Sequence, residues 1–185
     1  MRFALPCVRL TRAALRVALV TFAAVSSAAA VPCVSDALYA QDLGIKLGAT
    51  APSAMIETLD GQAVSLSSVM SGKTTVLEFW ATWCGNCKQL EPAMLAAHTK
   101  YKDRVQFIAV AVSLNQSVER VKAYQARFKL PFTFLYDRRG DVSELYDAPA
   151  TSYVVIIDKA GRVVYTGVGG TQNLDAAIAK ALTAS

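Results

Sequence analysis

Two cysteines, Cys84 and Cys87, stand two residues apart in the stretch FWATWCGNCK at positions 79–88. Thiolates attack disulfides, so a pair that exchanges electrons needs one sulfur whose ionised form is stabilised and accessible. If a helix begins at Cys84, its sulfur meets free backbone N–H groups and the positive end of the helix dipole, which favour the thiolate. Cys87 would lie one turn further in and be less exposed. The spacing therefore predicts that Cys84 attacks and that Cys87 resolves the resulting mixed disulfide.

A carboxylate in an apolar run is the second unusual feature. Glu78 lies within TTVLEFW at positions 74–80, a run that is typical of a buried central strand. Burial raises the pKa of a carboxyl group. Glu78 precedes Cys84 by six residues, and we expect it to lie beneath the pair and to accept the proton of Cys87. The alternative is a side chain that faces solvent at a sheet edge or pairs with a lysine.

A metal site and a purely structural disulfide are weaker interpretations of the same pair. The pair supplies two thiolates, whereas a structural zinc site takes four ligands. The single histidine, His98, comes fourteen residues after Cys84 on the same predicted helix, and a helix-surface position is its simpler interpretation. A bridge that encloses two residues constrains the unfolded chain very little. We predict no metal and no cofactor.

The remaining pattern predicts the elements that position the pair. An Asp60-Gly61 step between two short strand-like runs indicates a hairpin. Further strands are predicted at 74–80, 105–112, 132–136, 153–157 and 162–166. Helices are predicted at 84–101 with an interruption at Pro92, at 118–128, and after a cap at Thr171 or Asn173. Strands that alternate with helices and end in a hairpin predict an α/β fold on a mixed sheet.

The N-terminal residues have a different composition. The first thirty carry four arginines and no acidic residue, and positions 17–30 are almost wholly apolar or small. This run ends in three alanines, the small side chains that a signal peptidase reads. The pattern predicts a secretory signal peptide over residues 1–30, with an apolar part too short to span a bilayer comfortably. An uncleaved N-terminal anchor is the alternative.

Export changes how the charge and the other cysteines are interpreted. Without the four arginines the formal net charge of +5 falls to +1, which leaves no basic stripe for nucleic acid. Disulfides persist outside the cytosol, which suits a redox pair. Cys7 would be lost with the signal. Cys33 lies in a flexible leader, residues 31–45, where Pro32 argues against lipid attachment and an incidental thiol is the simpler interpretation.

The stretch at 79–87 resembles the active-site segment of the thioredoxin superfamily, most closely its exported branch, the thiol–disulfide oxidoreductases related to TlpA and ResA. Pro92, five residues after Cys87, matches the proline that kinks the active-site helix of that family. The residues at 48–52 with the hairpin resemble the N-terminal extension of the branch, and those at 154–164 resemble its strand, turn and strand. The resemblance implies a thioredoxin fold over residues 46–185, with a central mixed β-sheet flanked by helices and an N-terminal β-hairpin extension.

Carried over to this chain, the resemblance implies that Cys84 is the nucleophile and Cys87 the resolving thiol. Glu78 falls where thioredoxins keep a buried acid that assists the inner cysteine, although many relatives in this branch have asparagine there. Trp83 would flank the substrate groove and shield the pair.

The cis-proline of the family marks a departure. It lies opposite the disulfide, directly before the strand that begins here near Tyr153. Counting back from Asp158 places Ser152 at that position, whereas Pro149 would occupy it if the loop were longer. We favour Ser152, and a trans bond there, because a non-proline cis bond costs about 3 kcal/mol. Both residues are predicted substrate-binding positions.

The function implied is that of an exported enzyme that exchanges its dithiol for disulfides in client proteins. Reduction is the expected direction, because Gly85-Asn86 supplies no charge that would stabilise a thiolate strongly. The resemblance also implies an upstream thiol electron donor in the membrane and a role in cytochrome c maturation in the periplasm or an equivalent space. We expect a monomer. A thiol peroxidase and a non-catalytic binding or metal-carrying module are the alternatives. Ala81 and Leu77 stand where the peroxidase class would place its threonine and its proline, respectively.

Overall fold

The computed structural model describes residues 43–183. The predicted signal peptide lies outside these residues, as do Cys7, Cys33 and most of the predicted leader. Within the described part of the chain, no helix has the length and apolar character needed to cross a membrane.

Seven strands and five helices alternate along the described chain. The strands are β1 (Met55–Thr58), β2 (Ala63–Ser65), β3 (Thr74–Trp80), β4 (Val105–Val112), β5 (Thr133–Asp137), β6 (Tyr153–Ile157) and β7 (Val163–Val168). The helices are α1 (Leu66–Met70), α2 (Gly85–Tyr101), α3 (Val118–Phe128), α4 (Asp141–Leu145) and α5 (Leu174–Thr183).

All seven strands form one mixed sheet in the order β2-β1-β5-β4-β3-β6-β7. The central strands β3, β4 and β5 are parallel, and the two hairpins at the edges pair antiparallel. The N-terminal hairpin joins the sheet through β1, which pairs with β5. This arrangement confirms the predicted thioredoxin-like fold with its hairpin extension. It also places β3 between β4 and β6, so the strand that leads to the cysteines is fully enclosed.

Side chains of the strands alternate between two cores on opposite faces of the sheet. In β3, Val76 and Trp80 belong to a core with α2, α3 and α5, which we call the α2 face. Leu77 and Phe79 belong to a core with α1 and α4, which we call the α4 face. Every residue of β3 is buried, because helices cover both faces and strands flank both edges.

One local prediction is wrong, and one short helix was not predicted. Helix α2 runs without interruption through Pro92, so the predicted break there is wrong. Proline removes one backbone hydrogen bond, but Leu90 and Met94 on either side are completely buried and hold the helix against the sheet. Helix α1 was not predicted, because five residues are too few to show a helical period. The last helix is capped by Asn173, whose Oδ1 accepts the N–H of Ala176 at 3.1 Å.

Candidate functional site

Cys84 lies where the central strand passes into the longest helix. Strand β3 ends at Trp80, three residues form a turn, and α2 begins at Gly85 with Cys84 as its N-cap. The Cys84 Sγ accepts the N–H of Cys87 at 3.0 Å. A sulfur at this place takes up one of the helix N–H groups that have no partner within the helix. The predicted position at the helix N-terminus is confirmed.

Cys84 and Cys87 are joined in a disulfide with their Cα atoms 5.3 Å apart. The predicted contrast in exposure is wrong for this oxidised form, since Cys84 is 3% exposed and Cys87 is 1% exposed. Both sulfurs pack into the core of the α2 face. Cys84 is therefore covered nearly as well as its partner.

Glu78 is buried on the α2 face, two residues before Trp80 in β3. Its neighbours across the sheet are Ala109 and Val154, neither of which offers a charge. Among the described residues, its Oε1 has no hydrogen-bond partner. Burial, and to a smaller extent the nearby Glu91 carboxylate, raises the pKa of Glu78 from 4.5 to about 8. The predicted burial and raised pKa are confirmed, and the sheet-edge alternative is wrong.

Glu91 and Tyr124 form a polar pair next to Glu78 that sequence reasoning missed. The Tyr124 hydroxyl donates to the Glu91 Oε2 at 3.1 Å. The Tyr124 ring contacts Trp80 edge-on, with ring centroids 5.0 Å apart. Burial and the Glu91 carboxylate raise the pKa of Tyr124 to about 12. One signal was available, because Glu91 comes one helical turn after Cys87 and so lies on the same side of α2.

The loop after β4 braces the turn that carries the cysteines. The Trp83 Nε1 donates to the carbonyl oxygen of Leu114 at 2.8 Å, and the Gln116 Oε1 accepts the N–H of Thr82 at 2.8 Å. Gln116 is itself buried. Sequence reasoning missed these partners. The available signal was that β3 and β4 are neighbouring parallel strands, whose carboxyl ends meet at one edge of the sheet.

Trp83 is 43% exposed and separates two surface clefts. We call the first the Arg127 cleft. It lies between α2 and α3 with a volume of about 690 Å³ and is bordered by Trp83, Lys88, Glu91 and side chains of α3. We call the second the Leu114 cleft. It has a volume of about 460 Å³ and is bordered by Trp83, the loop after β4 and the loop before β6. The predicted position of Trp83 beside a groove fits both clefts.

Ser152 stands directly before β6 in a strained conformation. Its φ of 65° is unusual for a residue other than glycine. Its N–H donates to the Phe79 carbonyl at 2.8 Å, and its Oγ donates to the Gly169 carbonyl at 3.0 Å. Its own carbonyl accepts from Gly169 N–H and from Gln172 Nε2, both at 3.1 Å. These bonds hold the turn that returns the chain to the sheet.

No peptide bond in residues 43–183 is cis, so the expectation of a trans bond at Ser152 is confirmed. The Ser152 side chain is fully buried, and Pro149 is exposed on the loop before it. The residues of this loop that border the Leu114 cleft are Ala148, Ala150 and Thr151.

His98 lies near the C-terminal end of α2, about three turns after Cys87, and packs against aromatic side chains. Its ring contacts Phe107 and Phe132, with ring centroids 5.3 and 5.7 Å away. Burial, followed by Lys102, lowers the pKa of His98. Across the described residues, no three His, Cys, Asp or Glu side chains converge in a way that could hold a metal ion.

Comparisons with known proteins agree with this site. Residues 46–182 match the Redoxin family. Thioredoxin-like protein YneN of Bacillus subtilis (strain 168) is 33% identical over 130 residues, which cover 70% of this chain and 75% of that protein. Thiol-disulfide oxidoreductase ResA of Bacillus cereus (strain ATCC 10987 / NRS 248) is 27% identical over 126 residues, which cover 68% and 72% of the two chains.

Solved structures lead to the same family. A Chlorobium tepidum protein assigned as a thiol:disulfide interchange protein DsbE superposes with a TM-score of 0.65 at 28% identity, covering 76% of this chain and 97% of that one. A Neisseria meningitidis protein assigned as a thioredoxin superposes with a TM-score of 0.66 at 30% identity, covering 75% and 93%. With its cysteine pair at the start of α2 and a family match over most of its length, this chain belongs to the redoxin family of thioredoxin-like proteins and is a thiol–disulfide oxidoreductase.

Proposed function

We propose that this thiol–disulfide oxidoreductase works outside the cytoplasm, where it reduces disulfides in client proteins with the dithiol of Cys84 and Cys87. The observation that carries the proposal is the disulfide at the N-terminus of α2, in which the Cys84 sulfur accepts a backbone N–H of the helix. A sulfur in that position is stabilised as a thiolate, which is the form that attacks disulfides.

The proposed cycle begins with the reduced pair. The Cys84 thiolate attacks one sulfur of a client disulfide, forms a mixed disulfide and expels the other client sulfur as a thiolate. Cys87 then gives its proton to Glu78 and attacks the Cys84 sulfur, which releases the second client thiolate. Two electrons pass to the client, its thiolates take protons from water, and the enzyme is left with the Cys84–Cys87 disulfide.

Glu78 is the proposed proton partner of Cys87. With a pKa of about 8 in the disulfide form, about nine in ten of its carboxyl groups hold a proton at pH 7. This is the protonation state expected after it has accepted the proton of Cys87. When a donor dithiol attacks Cys84, Cys87 leaves as a thiolate and Glu78 returns the proton to it. The bare Oε1 leaves one carboxylate oxygen free for that exchange.

Several finer features belong to the same proposal. The signal-like residues 1–30 and the leader 31–45 direct the domain at 46–185 to the periplasm or an equivalent space, with or without an uncleaved anchor. The chain works as a monomer, and a thiol donor in the membrane restores its dithiol. Its clients include apocytochromes during cytochrome c maturation. Trp83 and the loop that contains Pro149 and Ser152 shape the groove in which the client lies.

A redox titration against glutathione tests the proposal. We expect the pair to equilibrate as one reversible two-electron couple with a low, thioredoxin-like potential. A pair that shows no reversible couple would contradict the proposed function. Turnover of hydrogen peroxide without any partner protein would instead favour the peroxidase alternative.

Trapping experiments test the two cysteine roles separately. Cys87→Ser should hold clients on Cys84 as mixed disulfides that survive non-reducing electrophoresis. Cys84→Ser is the matched control and should trap far fewer. If both variants trapped the same clients equally well, the assignment of attacking and resolving sulfur would be wrong.

A further inference from the structure

The residues directly before and directly after the CxxC segment border the Arg127 cleft. Trp83, directly before Cys84, forms one wall, and Lys88, directly after Cys87, forms another. Arg120 and Arg127 close the cleft from α3. A protein held on Cys84 through a mixed disulfide therefore has the residues beside its own cysteine close to this cleft. The inference that follows rests on the proposed function.

The cleft carries an excess of positive charge that the protein leaves uncompensated. Lys88, Arg120 and Arg127 are all exposed, and none takes part in the ion pairs found among residues 43–183. Arg120 donates to the Asn115 carbonyl at 3.3 Å, which leaves its charge unneutralised. Among the described residues, Glu91 is the only acid that borders the cleft, and its Oε2 already accepts from Tyr124. Three cations thus face one carboxylate.

Aromatic side chains complete the cleft. Phe128 is 44% exposed and Trp83 is 43% exposed, so the cleft presents two large aromatic side chains to a partner. The Arg127 guanidinium lies over the Phe128 ring, 5.2 Å from its centroid, and the Tyr124 and Phe128 rings are 4.4 Å apart. These contacts hold Arg127 in place before any partner arrives. A surface that combines placed guanidinium groups with exposed aromatics is suited to carboxylate-bearing peptide segments.

We propose that the Arg127 cleft docks the client segment next to the reacting cysteine, and that this segment carries aspartate or glutamate side chains. Charge complementarity would raise the association rate of client and enzyme and lengthen the lifetime of their complex. Docking there would select clients by the acidic residues that flank their disulfides. The Cys84–Cys87 chemistry itself would stay the same for every client.

Two peptide substrates test the proposal. Both contain the same single disulfide, one flanked by aspartate and glutamate and the other by lysine, and reduced wild-type protein acts on each at low ionic strength. We expect the second-order rate constant for reduction to favour the acidic peptide by about tenfold, and the preference to shrink in 0.5 M salt, where the Debye length falls to a few ångströms. The double variant Arg120→Glu/Arg127→Glu should reverse the preference.

The matched control is the double variant Arg104→Glu/Lys180→Glu. It makes the same change of charge at two exposed residues that do not border the cleft, so it should keep the acidic preference. Thermal unfolding of both double variants checks that each is folded. Equal preference in the wild type and in the cleft variant would overturn the proposal. The reverse reaction, in which dithiol peptides reduce the oxidised protein, is measured with the same flanking charges. If only this reaction depended on peptide charge, the proposal would be overturned and the cleft would be assigned to the electron donor.

An uncharged small disulfide, hydroxyethyl disulfide, separates this inference from the proposed function. If the wild type failed to reduce it at all, the proposed function would fail. If the wild type and the cleft variant reduced it equally well while neither discriminated between the peptides, only the docking inference would fail. The expected result is equal reduction of the small disulfide together with opposite peptide preferences.

Discussion

One buried carboxyl group sets the two faces of the sheet apart. On the α4 face, the fully buried Tyr146 donates its hydroxyl to the Pro52 carbonyl at 2.9 Å, and the Tyr153 hydroxyl accepts the Ile45 N–H at 3.0 Å. On the α2 face, Glu78 is equally well buried, yet its Oε1 has no partner among the described residues.

The difference separates a structural core from a reactive one. Buried polar groups in folded proteins are nearly always hydrogen-bonded, and an exception has to be explained. The hydroxyls of the α4 face tie the N-terminal residues 45 and 52 to the sheet, which is a contribution to stability. The unpaired carboxyl of the α2 face costs stability and shares its core with the disulfide. A costly group with a shifted pKa on the same face of the sheet as a redox pair supports the proposed proton transfer.

Substitution of the cysteines should separate the two faces most clearly. Cys84→Ser and Cys87→Ser each remove a sulfur that no other residue replaces, so we expect disulfide reduction to fall by about a thousandfold or more. Tyr146→Phe on the α4 face should leave the rate within about twofold of the wild type. Steady-state reduction of an uncharged disulfide measures all three. A large loss of rate in the tyrosine variant would break the comparison.

Glu78→Gln should give the next largest effect on the rate. The amide has nearly the same shape but cannot take the proton of Cys87, so we expect resolution of the mixed disulfide to slow by about a hundredfold near pH 7. Rapid-mixing kinetics that follow release of the client would measure this step separately from the first attack by Cys84. If both steps kept their wild-type rates, Glu78 would have no part in proton transfer.

The buried carboxyl should also give the folded oxidised protein a particular pH dependence. The folded pKa of Glu78 is about 8 and its ordinary value is 4.5. Between these values the folded state holds a proton that the unfolded state has lost, so stability falls as pH rises. The contribution is fully present below pH 4.5, is lost by up to about 1.4 kcal/mol per pH unit, and levels off above pH 8.

Denaturant unfolding of the oxidised protein at several pH values measures this slope. Glu78→Gln should flatten it, because the amide does not titrate. Tyr146→Phe provides the control from the other face and should keep the slope of the wild type. An identical slope in the wild type and in Glu78→Gln would show that another group is responsible.

The α4 face should respond to the loss of a hydroxyl with a moderate loss of stability. Tyr146→Phe leaves the Pro52 carbonyl without its donor, and we expect the free energy of unfolding to fall by about 1 kcal/mol. Chemical denaturation at pH 7 measures the change. A neutral result would mean that water replaces the lost bond.

Glu91→Gln should produce the smallest effect and would refine the account of the α2 face. Burial is the main cause of the raised pKa of Glu78, and the Glu91 charge is the smaller one. Removing that charge should therefore lower the pKa of Glu78 only slightly and leave it above 4.5. Carboxyl NMR of the oxidised protein measures the titration directly. Tyr124→Phe keeps the charge while removing its hydrogen bond, and is the matched control. A rise in the pKa of Glu78 in Glu91→Gln would contradict this electrostatic account.

Local sequence patterns were sufficient for much of this site. Strand β3 was predicted to the residue because a run of β-branched and apolar side chains has one stable environment, the centre of a sheet. The same run favoured a buried position for Glu78, which the structure shows. The start of α2 at the CxxC segment followed from helix-favouring residues after Cys84 and from the family resemblance of residues 79–87. These features depend on neighbours in the chain, which a sequence shows directly.

Other parts of the site arise from residues that are far apart in the chain. The brace of Gln116 on Thr82 spans 34 residues, and the bond from Tyr124 to Glu91 spans 33. Ser152 takes its unusual φ because Phe79 and Gly169 bind it from two other strands or loops. Patterns of hydrophobicity specify which face of an element is buried, but they do not specify which polar partners meet there.

The sequence by itself therefore determined the redox pair, the buried acid and the sheet that carries them, since each depends on side-chain type and on spacing within one element. Only the tertiary structure decided that both sulfurs are covered in the oxidised form, that Glu91 reinforces the shift of Glu78, and that Trp83 separates a cationic cleft from a less charged one. These outcomes depend on how α2, α3 and the loops after β4 and before β6 pack together. The energies of that packing are sums over many weak and distant contacts, which local patterns do not encode.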